Sequence, residues 1–119
     1  MAARPADPET SPLTPAMHHI LLALLEGDRH GYAIMQSVET ISQGAMRLGP
    51  GTLYTSIRKL LDGGLIEESQ ERPHESEDDE RRRYYRLSAG GREAVKSETQ
   101  RLARLVRYAH KHAFQALLA

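Results

Sequence analysis

One segment constrains this chain more than any other: Gly49-Pro50-Gly51-Thr52-Leu53-Tyr54, running on to Gly63-Gly64-Leu65-Ile66. Proline opens a helix readily, because its missing N–H has no partner in the first turn anyway, and a glycine pair closes one. Between those signals Leu53, Ile57, Leu60 and Leu61 recur at the 3.6-residue period of a single buried face. The opposite side carries hydroxyls and cations: Thr52, Thr55, Arg58 and Lys59. A short helix anchored on one side, offering donors on the other and followed at once by an extended segment, suits insertion into a DNA groove. An ordinary amphipathic helix has the same pattern, so the neighbouring elements decide.

Residues 1–13 form a Pro/Ala/polar tail, expected to be disordered. Thr14-Pro15 reads as an N-cap and first helical residue. The helix it opens runs to Glu26, with Met17, Ile20, Leu21, Leu24 and Leu25 on its buried side. A second helix is predicted over Gly31–Ser42, with Tyr32, Ile34, Met35, Val38 and Ile41 for packing, and Met46-Arg47-Leu48 is a candidate short strand. Leu65–Gln70 and Arg82–Leu87 form a hairpin around the charged loop 71–80, with Tyr84 and Arg86 on the face opposite Arg83, Tyr85 and Leu87. Ser88 caps a last helix whose first turn is weakened by Gly90-Gly91 and which meets no further Pro or Gly up to Ala116. The predicted fold is mainly α with a small β-hairpin: a winged helix-turn-helix over 14–88 and a long C-terminal helix over 89–119.

At 119 residues the chain has the size of one domain. No Cys is present, which excludes disulfides, thiolate catalysis and Cys-based zinc sites. The longest apolar run, Ile20–Leu25, is too short to span a bilayer, and the start lacks the apolar stretch of a signal peptide. A cytoplasmic protein without a membrane partner is expected. Net charge is zero, but its distribution is uneven. Residues 67–80 hold eight acidic side chains against one basic, whereas 81–111 hold ten basic against two acidic. Arg81, Arg82 and Arg83, with Arg86, sit where a wing meets phosphates or a minor groove. Pairing with Glu77, Asp78, Asp79 and Glu80 is the competing role, and an acidic run there trims nonspecific affinity.

In the last helix Val95, Leu102, Leu105, Val106, Ala109, Ala113, Ala116 and Leu117 make a near-heptad stripe, flanked by Arg101, Arg104, Arg107 and Lys111. About 25 residues at 1.5 Å each give about 37 Å, longer than a small winged body covers. The stripe therefore calls for the same helix of a second subunit, with the first helix sharing the surface. Tyr108 and Phe114 beside that seam would line an apolar cleft suited to a small planar effector. Against this, Ala109, Ala113 and Ala116 let the helices approach closely and close it. The adjacent histidines His18-His19 and the pair His110 and His112 diverge on a helix, so no metal site is expected. There is no phosphate loop, since Gly49-Pro50-Gly51 lacks the following Lys-Ser/Thr, and no carboxylate pair in an apolar setting. Neither an enzyme nor a bound cofactor is expected.

Ile20-Leu-Leu-Ala-Leu-Leu, His30-Gly31-Tyr32, Pro50-Gly51-Thr52-Leu53-Tyr54, Gly64-Leu65-Ile66 and Arg83-Tyr84-Tyr85-Arg86-Leu87-Ser88 with Gly91-Arg92 follow in that order. The series resembles the PadR family of bacterial transcriptional regulators, over about residues 17–95. The resemblance implies a dimeric winged-helix repressor on double-stranded DNA, in the compact form with one C-terminal dimerisation helix. It matches Pro50, Gly51, Thr52 and Tyr54 to the start of the recognition helix, Tyr32 to an aromatic near the DNA backbone, and Arg82–Arg86 to the wing's returning strand. Here the wing tip is rich in Glu and Asp, a departure from the family's basic tip. Drug binding by compact members relies on aromatic side chains including Trp, which this chain lacks. The reading from a different class is a protein–protein interaction module on the same winged body, without DNA.

Overall fold

The computed structural model describes residues 13–69 and 83–114. Helix α1 spans Pro15–Ala23, and the Thr14 hydroxyl caps it by accepting the Met17 N–H at 3.1 Å. The chain then tightens into a single 3₁₀ turn, Leu24–Glu26, and leaves at Gly27. Three residues per turn instead of 3.6 rotates Leu25 outward, so Leu24 enters the core while Leu25, expected inside, is 48% exposed. Helix α2 covers Gly31–Ile41, with the His30 ring as its cap: Nδ1 accepts the Ala33 N–H at 3.2 Å. Ile34 and Val38 are buried beneath it, whereas Ile41 is exposed in its last turn.

Met46-Arg47-Leu48 is not a strand. The Ser42 hydroxyl accepts the Met46 N–H at 2.9 Å and donates to the Met46 carbonyl at 3.2 Å, so a side chain has taken the backbone groups a ladder would need. Met46 and Leu48 pack on the core from this irregular turn. The third strand lies elsewhere. Strand β1 is only Arg29–His30, and the hairpin consists of β2, Ile66–Ser69, and β3, Tyr84–Leu87. All pairs are antiparallel in the order β1-β3-β2, with Ile66 opposite Leu87, Ser69 opposite Tyr84, and Arg29 opposite Tyr85. The alternation expected along β3 is broken because Tyr84 and Tyr85 are both buried. Tyr84 meets the His30 ring edge-on at 5.3 Å, while Tyr85 joins the core on the other side.

Helix α3 spans Pro50–Asp62 between its proline and glycine signals. Leu53, Ile57 and Leu60 are buried in the main cluster with Ile20, Leu21, Ile34 and Val38, and Leu61 packs at its edge. Helix α4 runs from Ala89 to Ala109 and continues as a wider π-type turn, His110–Phe114. Its start is pressed against the turn that ends α3. Ser88 Oγ accepts the Gly91 N–H at 3.0 Å and donates to the Gly64 carbonyl at 2.6 Å, and the Ser88 N–H bonds the Leu65 carbonyl at 3.1 Å. A Cβ at Gly91 would land on that Leu65 carbonyl oxygen. The glycine that seemed to weaken this helix is what lets it dock. Val95, expected in the outer stripe, is 3% exposed and belongs to the core, so it is used within the subunit.

Candidate nucleic-acid interface

The start of α3 is an open donor site. Its N-cap is Gly49, which has no side chain to return a hydrogen bond, and Pro50 has no N–H. The first backbone bond is Leu53 N–H to the Gly49 carbonyl at 2.9 Å. Among the described residues the N–H groups of Gly51 and Thr52 are left over, at the positive end of the helix dipole and with no acidic side chain in the first turn. Pro50, Gly51, Thr52, Tyr54, Thr55, Arg58 and Lys59 are all exposed along this face. Among the described residues Arg58 and Lys59 enter no ion pair, so their charge is available to an outside anion.

Two tyrosines are exposed on the neighbouring turns, Tyr54 in the second turn of α3 at 51% and Tyr32 in the first turn of α2 at 58%. Tyr54 owes its placement to Gly31: a Cβ there would overlap the phenol ring, which lies directly over the first residue of α2. The His30-Gly31 pair thus has two duties that the sequence did not separate, capping α2 and making room for Tyr54. On the hairpin side a groove of about 540 Å³ runs between α3 and the strands, with Tyr54, Arg58, Arg83 and Glu68 on its walls.

Hairpin arginines behave differently from those of α3. Arg83 bonds Glu68 at 2.8 Å and Arg86 bonds Glu67 at 3.1 Å, both across the β2–β3 pair. Such exposed pairs contribute about 0–1 kcal/mol and exchange readily for phosphate. Arg81 and Arg82, and the loop carboxylates from Glu77 to Glu80, lie outside the described residues. At the loop end of β2 the hairpin is tied to the body by Ser69, whose hydroxyl donates to the Asp28 carboxylate. Burial raises the Tyr85 phenol above its ordinary pKa, with the Glu68 charge adding to it.

Helix α4 presents two faces. On the inner one, His18 of α1 is buried with Nε2 3.0 Å from Thr99 Oγ1, beside Glu98, which Arg101 holds through bonds of 2.6 and 2.9 Å. Desolvation holds His18 below its ordinary pKa; Glu98 opposes that, while His19 and Arg101 reinforce it. The Arg101 hydrogen bond lowers Glu98. α1 therefore packs on α4 within one subunit. On the outer face Leu102, Leu105, Val106 and Tyr108 are exposed, Ala109 is half-buried and Ala113 exposed. Tyr108 lies against His112 with ring centres 4.4 Å apart.

A family model described as the transcriptional regulator PadR-like family matches residues 20–97, from the middle of α1 into α4. The chain belongs to the PadR-like family. Solved relatives agree with this fold. A transcriptional regulator from Clostridium thermocellum aligns at TM-score 0.65 and 25% identity, covering 82% of this chain and 91% of that one. A PadR family transcription regulator from Clostridium difficile aligns at 0.69 and 20% identity, covering 82% and 97%. An uncharacterized 37.1 kDa protein in a transposon of Streptomyces fradiae is 36% identical over 86 residues, 72% of this chain. The chain spans only 22% of the length of that relative. This PadR-like chain thus combines a winged helix-turn-helix with a long C-terminal helix, in a family described as transcriptional regulators. Among its described residues no cluster of His, Asp or Glu could hold a metal ion, and no helix is long and apolar enough to cross a membrane.

Proposed function

We propose that this PadR-like regulator works as a homodimeric, cytoplasmic repressor whose α3 helices read a palindromic operator. In this reading residues 14–88 contact DNA and 89–119 join two subunits. The observation that carries it is the open start of α3: its exposed hydroxyls and, among the described residues, two leftover N–H groups and Arg58 and Lys59 outside any ion pair. A helix meant only for a solvated surface gains nothing from leaving cap and cations unpartnered together. Tyr32, Tyr54 and the wing arginines would flank the same DNA. Support for the dimer is the outer face of α4, where Leu105 is 54% and Val106 60% exposed on one helical stripe. Two subunits joined there would place their α3 helices on half-sites one helical turn apart or a small multiple of it.

The deciding experiment is a gel shift with the DNA upstream of the protein's own gene, repeated across a salt series. Phosphate contacts make log K fall linearly with log salt, by about 0.9 per contact. Steep salt dependence on a dimeric complex is expected. Absence of any shift at low salt would favour the winged body as a protein-interaction module instead.

A further inference from the structure

We propose that the groove between the start of α1 and the first two turns of α3 is a phosphate seat, occupied by a DNA-backbone phosphate that flanks the half-site. The proposal rests on the DNA-binding reading above and adds a grip on the flank of α3 away from the hairpin. The groove measures about 560 Å³, with Thr14, Met17, Thr52, Thr55, Ser56 and Lys59 among its walls. Its chemistry is one-sided. Every charged or polar side chain on the wall is a hydroxyl or an ammonium, and neither α1 nor α3 has an acidic residue in its first turn. The Gly51 and Thr52 N–H groups lie in the stretch of α3 that forms one wall.

Ser56 turns this from an open helix end into a candidate site. It is 7% exposed, it lines the groove, and among the described residues its hydroxyl has no hydrogen-bond partner. Helical serines ordinarily satisfy themselves on a carbonyl one turn back. A buried hydroxyl left without a partner costs about 1–3 kcal/mol, so an alanine would serve a purely structural position better. A tetrahedral oxyanion in the groove would accept from Ser56 Oγ and from the two N–H groups, with Lys59 supplying the counter-charge. Thr52, Thr55 and Lys59 belong both to this wall and to the exposed face of α3. A strand following that face therefore delivers a phosphate to the groove without bending away from it.

The test uses the full chain, inorganic phosphate and a mixed-sequence duplex, with Ser56→Ala as the variant. Phosphate titrated at constant ionic strength should shift the amide resonances of Gly51 and Thr52, and the duplex should displace it. Ser56→Ala should weaken phosphate and duplex together, each by roughly ten- to a hundredfold, the loss of one hydrogen bond to an anion. Its thermal midpoint should hold or rise, since the lost hydroxyl had no partner. No amide shift in the parent overturns the proposal, as does a Ser56→Ala protein with parental duplex affinity. Phosphate that stays bound while the duplex binds would make the occupant a free anion and overturn the assignment to DNA. A parent that binds phosphate but no duplex sinks the DNA reading itself.

Discussion

Two adjacent glycines at the start of α4 should respond to alanine in opposite directions. A Cβ on Gly90 would meet its nearest atom, the Gly64 carbonyl oxygen, at 3.6 Å, an ordinary contact. Gly90→Ala thus keeps the helix gain of up to about 1 kcal/mol that alanine has over glycine. A Cβ on Gly91 would instead overlap the Leu65 carbonyl oxygen, and its next neighbour, the Leu65 carbonyl carbon, is at 3.0 Å. Neither partner can retreat freely, because Ser88 ties the same turn through Gly64 at 2.6 Å and Leu65 at 3.1 Å. Overpacking of this kind costs about 1–3 kcal/mol. Disturbing the two Ser88 bonds adds about 1 kcal/mol each. Less the helix gain, Gly91→Ala should lose about 2–4 kcal/mol, or roughly 10–30 °C in midpoint for a body of this size. Thermal unfolding of both variants at one protein concentration reads this directly, with concentration fixed because association shifts the midpoint. Equal midpoints for the two alanines would mean that α4 is not docked on this turn.

Four further outcomes are expected. Lys59→Ala should weaken all duplexes similarly and lower the salt slope by about 0.9, read by gel shift across salt; an unchanged slope places Lys59 off the DNA. Leu105→Asp with Val106→Asp alters residues already exposed in the single subunit, so the fold should persist while sedimentation reports monomers; a surviving dimer puts the seam elsewhere. His18 has a folded pKa below its unfolded value near 6.5, so the unfolded chain binds the extra proton and stability is lost as pH falls through about 6.5. His18→Gln should flatten that fall in denaturant titrations, leaving the loss from Glu98 at more acidic pH. Gly31→Ala should push the Tyr54 ring aside, reducing DNA affinity more than stability, because the obstructing atoms are the movable end of a side chain.

Much of the framework was legible where pattern and punctuation agreed. Pro50 and Gly63 bound α3 because a missing N–H and a small residue act locally, whatever the rest of the chain does. The hairpin was legible from its two short extended runs. β1 was not, since two residues carry no period, and Arg29–His30 becomes a strand only when β3 is laid beside it. Val95 shares the helical stripe with Leu102 and Leu105, and only the place where α4 leaves the body separates core from outer face. Ser56 was passed over, and Gly31 was read only as part of the motif opening α2, for a related reason. A small residue shows its role only through what approaches it, and Thr14 and Tyr54 approach from distant parts of the chain.

Only Ser88 stands between the end of β3 at Leu87 and the start of α4 at Ala89. The same serine is latched to Gly64, where α3 has just ended. No slack therefore lies between the hairpin, the tail of α3 and the long helix that would join two subunits. α4 stays against the body as far as Thr99, so its last ten residues, 100–109, make a lever of about 15 Å with its fulcrum there. Whatever tilts the lever at its far end would move the β2–β3 strands and the end of α3 as one piece. In the proposed dimer, control would act by changing the span between two rigid heads, leaving the shape of each head as it was.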